Sequence, residues 1–191
     1  MLLEEIEIFA KNNNVPIMQK DGIEFLTNYI KEHQIKRILE IGSAIGYSAI
    51  KMALVSDDIY VKTIERDFER YNLAAENIKK FNLETRIEII NSDAFNIELN
   101  EQYDLIFIDA AKSQSIKFFE KFKSNLKKDG TIITDNINFH GLTQATEIKN
   151  RNTRQLVGKI RAYIKFLKEN EEFCTIFIDD GDGIAISRRS A

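Results

Sequence analysis

Residues 37–50 read Arg-Ile-Leu-Glu-Ile-Gly-Ser-Ala-Ile-Gly-Tyr-Ser-Ala-Ile, and this stretch decides the fold. Its first part is a short apolar run of the kind found in strands that are buried on both faces. Gly42 and Gly46 interrupt the run, and apolar residues then return at helical spacing. The stretch therefore predicts a strand, a glycine turn and a helix. The free N–H groups at the start of such a helix can bind a ligand above the turn.

The glycine turn does not match two common phosphate-binding turns. A dinucleotide-binding turn has the pattern G-x-G-x-x-G, but Ser43 and Ala44 stand where its second glycine would let a pyrophosphate approach. A P-loop is excluded because no Gly-Lys-Ser/Thr follows. The pattern Glu40-x-Gly42-x-x-x-Gly46 resembles motif I of the class I S-adenosylmethionine (AdoMet) methyltransferases. On this stretch alone, an ordinary turn between a strand and a helix is the alternative.

The composition is that of a globular protein. The chain has 191 residues, of which 43% are hydrophobic and 30% charged, and this predicts a single domain over residues 1–191. No apolar run is as long as a membrane span, and the acidic N-terminus does not resemble a signal peptide. The one cysteine, Cys174, cannot form an internal disulfide, and we expect it to be buried. These features predict a cytoplasmic protein with no membrane partner.

Strands and helices alternate along the chain. Two helices, at residues 2–11 and 22–33, precede the first strand, with Asp21 as the expected N-cap of the second. Further strands are predicted at residues 59–64, 86–90, 103–108 and 131–134, and further helices at 68–81, 115–126 and 152–169. Residues 172–178 and 184–188 then predict a hairpin. The order predicts an α/β fold with a doubly wound, mostly parallel, seven-stranded sheet, N-terminal helices and an antiparallel C-terminal hairpin.

Acidic residues follow the predicted strands at the edge where ligands bind to open α/β sheets. Glu65 lies 23 residues after Gly42, where a carboxylate can accept hydrogen bonds from both hydroxyls of a ribose. Asp93 follows the third strand and could accept a hydrogen bond from an adenine amino group. Each acid could instead cap a helix or lie in a solvated loop. The ordered set favours a nucleotide-like ligand.

Asp109, Asp135 and Asn136 follow the fourth and fifth strands, which we expect to be neighbours. Two carboxylates and an amide carbonyl are hard oxygen ligands that suit Mg²⁺. Without a cation the pairing would be unfavourable, because like charges raise each other's pKa. Lys112 lies three residues after Asp109, close enough to act on a hydroxyl bound there, although a surface lysine is the alternative.

Taken together, these motifs resemble the metal-dependent O-methyltransferases of the catechol and caffeoyl-CoA type, and among them the bacterial tRNA 5-hydroxyuridine methyltransferases. The resemblance covers essentially the whole chain. It rests on Glu40-x-Gly42-x-x-x-Gly46, Glu65, Ser92-Asp93-Ala94, Ile108-Asp109-x-x-Lys112, Thr134-Asp135-Asn136, the Gly-Asp-Gly turn at residues 181–183 and the segment Val15-Pro16-Ile17-Met18.

The resemblance implies Mg²⁺, or alternatively Mn²⁺, on Asp109, Asp135 and Asn136, and it implies that Lys112 is the general base. It also implies a homodimer. The implied AdoMet site consists of Met18, Glu40, Gly42, Ser43, Gly46, Tyr47, Ser48, Glu65, Asp93, Ala94 and Asp109. One departure concerns the substrate. Catechol enzymes clamp a flat ring between aromatic residues that include tryptophan, whereas this chain has no tryptophan.

A basic segment bears on the choice of substrate. Residues 148–168 contain seven basic residues and no acidic one, although the net charge of the chain is −3. A helix there would carry its charges on one face, which predicts a stripe that binds RNA phosphates, with a solvated helix face as the alternative. Phe139 and His140 could contact a flipped base or could simply pack. The residues of the expected RNA surface are Phe139, His140, Arg151, Arg154, Arg161 and Lys165.

These observations rank three functions. The first is Mg²⁺-dependent methylation of 5-hydroxyuridine at the wobble position of a tRNA anticodon loop. The second is the same chemistry on a small catechol-like metabolite, since both substrates offer two neighbouring oxygens to a metal. The third is an NAD-type oxidoreductase or a catalytically silent nucleotide-binding module. The missing middle glycine disfavours the oxidoreductase, and the complete set of metal ligands disfavours the silent module.

Overall fold

The computed structural model describes residues 2–190. Its α-helices are α1 Leu2–Asn12, α2 Lys20–Glu32, α3 Tyr47–Ala53, α4 Phe68–Lys80, α5 Ser115–Phe122 and α6 Arg151–Lys168. Its strands are β1 Arg37–Ile41, β2 Tyr60–Glu65, β3 Ile87–Asn91, β4 Tyr103–Ile108, β5 Leu126–Asp135, β6 Phe173–Ile178 and β7 Ile184–Arg189. Short 3₁₀ helices lie at Ala94–Asn96, Lys112–Gln114 and Lys123–Asn125.

The seven strands form one sheet in the order β3-β2-β1-β4-β5-β7-β6. The pairs β1–β2, β2–β3, β1–β4 and β4–β5 are parallel, whereas β7 runs antiparallel to both β5 and β6. The predicted fold class is therefore confirmed. The strand order reverses between β1 and β4, and in such sheets ligands bind beyond the carboxyl ends of the strands at this point.

Alternation along the strands divides the core between the two faces of the sheet. On β4, Leu105 and Phe107 pack into the cluster that includes α1, α2 and α3, whereas Ile106 and Ile108 pack against α5 and α6. Successive side chains of a strand point to opposite faces, so a strand that is covered on both sides must be apolar throughout. This is why the strand segments of the sequence read as continuous apolar runs.

The largest error in the predicted boundaries lies between α5 and β5. The helix was expected to continue to residue 126 and the strand to begin at 131, but α5 ends at Phe122 and β5 begins at Leu126. Leu126 is buried and pairs with Tyr103, and the register with β4 then shifts before Thr131. Lys127 donates to Asp104 across the sheet at 2.7 Å. The polar run that looks like a turn is thus held in the sheet by tertiary contacts.

Two further local predictions were wrong. Gln19, not Asp21, is the N-cap residue of α2, and Asp21 lies in the first helical turn, where its charge suits the helix dipole. Cys174 is exposed, because it faces outward on the edge strand β6 while its neighbour Phe173 is buried. Within residues 2–190, no helix is long and apolar enough to cross a membrane.

Candidate active site

The carboxyl ends of β4 and β5 bring together the side chains that were expected to bind a metal. Ile108 pairs with Thr134, so the residues that follow them, Asp109 and Asp135, lie side by side at the edge of the sheet. Asn136 comes next in a left-handed conformation, with φ of 59°. Lys112 begins a short 3₁₀ helix, and its Nζ donates to Asp109 Oδ1 at 2.8 Å.

The charges at this edge are not balanced by the chain itself. Asp135 is 2% exposed, and burial together with the neighbouring charge of Asp109 raises its pKa to about 7, although Lys112 opposes the shift. No three His, Cys, Asp or Glu side chains of residues 2–190 form a metal-binding group. The donors here are instead two carboxylates and one amide, which are ligands of the type that Mg²⁺ prefers. These residues fit a divalent cation.

The glycine turn packs directly against the same edge. Gly42 has φ of 97°, and a Cβ atom there would lie 2.6 Å from the carbonyl oxygen of Asp109. Gly46 has φ of 82°, and a Cβ atom there would lie 3.2 Å from Ala74 Cβ on α4. Both positions therefore require glycine, for backbone conformation and for space. The turn before α3 and the loop after β4 are in contact, so ligands over the two would be neighbours.

Glu40 lies beneath the turn and does not reach the surface. It is fully buried, and its carboxyl accepts hydrogen bonds from the hydroxyls of Ser48 and Thr63. Burial raises its pKa to about 8, with smaller contributions of the same sign from nearby acidic residues, although the two hydroxyls lower it. In this arrangement Glu40 and Ser48 support the turn, and their role in cofactor binding stays a prediction.

The other two expected nucleotide ligands also bind to their own chain. The carboxylate oxygens of Glu65 accept the N–H groups of Ala44 and Asp67, each at 2.9 Å. Asp93 Oδ1 accepts the N–H group of Phe95 at 2.9 Å and so caps the 3₁₀ helix Ala94–Asn96. A carboxylate has about four lone-pair positions, so these bonds leave capacity for a ligand. Both carboxylates are held in fixed positions at the carboxyl edge.

Comparison with known proteins identifies the family. A family model described as O-methyltransferase matches residues 1–190. The chain belongs to this family. The caffeoyl-CoA O-methyltransferase of Populus kitakamiensis is 31% identical over 188 residues, which cover 92% of this chain and 78% of that protein.

Solved structures of similar proteins have the same fold as this O-methyltransferase over almost its whole length. A Staphylococcus aureus structure, provisionally described as a caffeoyl-CoA O-methyltransferase, has 39% identity and a TM-score of 0.93, covering 98% of this chain and 92% of that one. An O-methyltransferase from Bacillus cereus, solved in complex with SAH, has 25% identity and a TM-score of 0.85, with coverage of 99% and 90%. The prediction of an O-methyltransferase related to the caffeoyl-CoA enzymes is therefore confirmed.

The turn of this O-methyltransferase has one polar atom that its own chain does not satisfy. Ser43 is 2% exposed, and among residues 2–190 its Oγ has no hydrogen-bond partner. Buried hydroxyls almost always have a partner, so this one is available to a ligand over the turn. Together with Gly42 and Gly46, it forms a cradle that fits the expected AdoMet.

The other expected cofactor residues are Met18, Tyr47 and Ala94, and they differ in their contacts. Met18 is buried, and its Cε lies 3.1 Å from where a Cβ of Gly22 would stand. The same Cβ position lies 4.0 Å from Asp135 Oδ1, so Met18 lies close to Asp135. Tyr47 Oη donates to Glu7 of α1 at 2.6 Å, and this hydrogen bond links α3 to α1. Ala94 is buried beyond β3.

Asp182 was expected only as part of a turn, and its contacts with the loop after β5 were not predicted from the sequence. Asp182 is 6% exposed and accepts the backbone N–H of His140. Its other oxygen lies 3.5 Å from Asn136 Nδ2 and 3.6 Å from His140 Nδ1. Phe139 and His140 both have positive φ, of 45° and 55°, which is uncommon for such residues. An acid between two glycines was the only signal for this contact in the sequence.

The basic residues of α6 fall into two groups, those that bond to the preceding loop and those that are exposed. Arg161 donates to the carbonyl oxygens of Thr143 and Ala145, and Arg154 donates to that of Ile148. These two side chains therefore hold the loop between β5 and α6. Arg151 and Lys165 are exposed on the same helix, with Lys165 3.8 Å from Glu169. The face is basic, but only part of it is open for a further partner.

Proposed function

We propose that this O-methyltransferase transfers the methyl group of AdoMet to a hydroxyl that a divalent cation holds beside a second oxygen. The observation that supports this proposal is the pair of neighbouring carboxylates, Asp109 and Asp135, with Asn136 beside them. A second support is the Bacillus cereus relative, which was solved with SAH. The metal is the finer part of the proposal, and Mg²⁺ is the cation that the oxygen donors favour, with Mn²⁺ as the alternative.

The residues of the chain take separate parts in the reaction. When bound, AdoMet would supply the methyl group and leave as S-adenosylhomocysteine, and a cation at this edge would supply positive charge that makes the hydroxyl more acidic. Asp109, Asp135 and Asn136 would hold that cation. Lys112 Nζ, 2.8 Å from Asp109 Oδ1, is the group that we assign to remove the hydroxyl proton.

Orientation is the second contribution of the chain. The turn at Gly42 touches the backbone of Asp109, so the donor over the turn and the acceptor at the carboxylates are held by segments in direct contact. Fixing the two reactants in line converts a bimolecular step into an effectively unimolecular one. Met18, which is buried close to Asp135, excludes water from the side of α2.

A small catechol-like molecule is the substrate that the relatives favour. The caffeoyl-CoA O-methyltransferase of Populus kitakamiensis is named for such a substrate. Two neighbouring hydroxyls on one ring would occupy two positions of a cation at once. The slot cannot use a tryptophan clamp, since the chain has none, and Ala110 and Ala111 stand after Asp109. We therefore expect a wide tolerance for the rest of the substrate.

Hydroxyuridine in a tRNA anticodon loop is the second candidate substrate. The observation that favours it is the basic face of α6, which follows the loop that carries Phe139 and His140. The ring hydroxyl of 5-hydroxyuridine lies beside a carbonyl oxygen, so it presents two neighbouring oxygens, as a catechol does with its two hydroxyls. Phosphate contacts by Arg151 and Lys165 would bring the base to the site.

Methyl incorporation from labelled AdoMet separates these substrates. The protein is incubated with a simple catechol or with tRNA that contains 5-hydroxyuridine, each with Mg²⁺ and with EDTA. We expect incorporation that EDTA abolishes and Mg²⁺ restores. Label in the catechol alone supports the small substrate, and label in the tRNA alone supports the second candidate. Incorporation that EDTA leaves unchanged would remove the metal from the proposal.

A further inference from the structure

Several hydrogen bonds join the turn that follows β6 to the loop that follows β5. Asp182 receives two donors of residues 136–140, the backbone N–H of His140 and the side-chain amide of Asn136. The backbones also join, because the N–H groups of Ile137 and Asn138 donate to the carbonyls of Gly183 and Asp182 at 3.0 and 2.8 Å. The turn therefore holds the first residues after β5 in place.

Glycine allows this close contact. Gly183 has φ of 83°, and a Cβ atom there would lie 2.6 Å from the side chain of Asn138. Gly181 has φ of 59°, and a Cβ atom there would lie 3.2 Å from Gly22 on α2. Asp182 thus lies between two close backbone contacts, one with the loop after β5 and one with the start of α2. Its carboxylate has little freedom to move.

The carboxylate decides which way the amide of Asn136 faces. A carboxylate can only accept hydrogen bonds, so it attracts the NH₂ group and repels the carbonyl oxygen of an amide. The two ends of the Asn136 amide point in different directions. With Nδ2 toward Asp182 Oδ2, at 3.5 Å, the carbonyl oxygen Oδ1 points away from Asp182. Only that oxygen can bind a cation.

We propose that Asp182 is a positioning residue that fixes the amide of Asn136 with its carbonyl oxygen available to a divalent cation. This inference rests on the proposed function, because it assumes that Asn136 binds a metal. Residues that orient metal ligands commonly change metal affinity about 10- to 100-fold when they are replaced. The left-handed residues Phe139 and His140 belong to the same unit, since Asp182 also holds the N–H of His140.

The substitution Asp182→Asn tests the orientation with almost no change in volume. The new side chain still has an oxygen that can accept the His140 N–H. Its NH₂ group then faces Asn136, where two donors would meet. The amide of Asn136 should turn over and direct its own NH₂ toward the cation. We expect the affinity of the purified protein for Mn²⁺, measured by electron paramagnetic resonance without AdoMet or substrate, to fall by about ten-fold.

A double-mutant cycle shows whether the effect passes through Asn136. In an Asn136→Ala background, Asp182→Asn should change the Mn²⁺ affinity by less than about two-fold, because no amide is left to orient. Asp180→Asn is the matched control, since it removes the same charge from the same turn on the side that faces α2. We expect this control to bind Mn²⁺ as the wild type does.

The outcomes are distinguishable. A ten-fold loss that vanishes in the Asn136→Ala background supports the proposal. An equal loss in both backgrounds, or wild-type affinity in a folded Asp182→Asn variant, overturns it and leaves the proposed function intact. A wild-type protein that binds no Mn²⁺ removes both. If Asp182→Asn does not fold, Asp182→Glu takes its place, because the longer side chain displaces the carboxylate and should also act only where Asn136 is present.

Discussion

At the carboxyl edge of the sheet, the acidic residues of the two halves have different kinds of partner. On the side of β1 to β3, Glu40, Glu65 and Asp93 all accept hydrogen bonds from hydroxyls or backbone N–H groups of their own chain. On the side of β4 and β5, Asp109 and Asp135 lie together, and the one cation beside them is Lys112, within the part of the chain that the structure describes.

From this difference we expect the acidic residues on the β1 to β3 side to support the structure and those on the β4 and β5 side to take part in the reaction. A carboxyl group that its own chain satisfies can hold a turn in shape and then present its spare lone pairs to a neutral ligand. A buried carboxylate beside a second one, with insufficient positive charge, carries an energetic cost that a cation relieves. We therefore expect substitutions on the first side to affect mainly stability and those on the second side to affect mainly turnover.

The largest effect should follow Asp135→Ala. Loss of one of the two carboxylates that we propose to hold the cation should lower turnover by about 10³-fold or more, because a metal contributes several kcal/mol to such reactions. Affinity for AdoMet, measured by calorimetry, should stay within a few-fold. The melting temperature should not fall, because a buried carboxylate repelled by Asp109 is removed. Asp129→Ala, exposed on the same strand, is the control. Unfolding of the Asp135 variant would make that residue structural.

Lys112→Arg should lower turnover next most strongly. Arginine can still pair with Asp109, but it does not give up its proton, so it cannot act as a base. We expect kcat to fall by about 10²-fold with little change in KM, as is common for the loss of a general base. Lys117→Arg on the exposed face of α5 should have no effect in the same methyl-transfer assay. Wild-type kcat in the Lys112 variant would show that the proton goes elsewhere.

Glu40→Gln should change stability rather than turnover. Burial raises the pKa of Glu40 to about 8 from an ordinary value of 4.5. Below the ordinary value both the folded and the unfolded chain carry the proton, and as pH rises only the unfolded chain releases it. The wild type should therefore lose stability progressively between those two values, by roughly 2–5 kcal/mol, and lose no more above them.

Denaturant unfolding at several pH values measures this loss. Glutamine keeps the shape of the side chain but has no proton to release, so the Glu40→Gln variant should lack that part of the pH dependence. Glu69→Gln, exposed on α4, should follow the wild type. Parallel curves for the wild type and Glu40→Gln would show that the buried carboxyl does not hold its proton.

The smallest effect concerns the basic helix. Replacing Arg151 and Lys165 with Glu should weaken tRNA binding by about ten-fold at low salt and reduce its salt dependence, because two phosphate contacts are lost. Turnover of a catechol should not change. Lys79 and Lys80 on α4 are the matched pair, since their replacement with Glu changes the net charge equally. If both pairs reduce tRNA binding equally, α6 is only a solvated face.

The sequence was sufficient for the fold because the central strands β1 and β4 are covered on both faces and read as apolar runs. It was also sufficient to bring Asp109 and Asp135 together, since the ends of neighbouring parallel strands must meet. It could not show that Arg154 and Arg161 bind loop carbonyls, because those contacts depend on the path of residues 138–150. Nor could it show that Glu40 points into the core, since the motif fixes a spacing and not the direction of a side chain.

Cys174 is a natural attachment site for a spin label. It is the single cysteine of the chain and is exposed on the edge strand β6. It lies four residues before Ile178, which pairs with Ile184 in the row that reaches Asp135. That separation is about 13 Å along the strand. A nitroxide attached to this thiol would sense a paramagnetic Mn²⁺ at the β5 end through distance-dependent line broadening, and would locate the ion without any engineered label site.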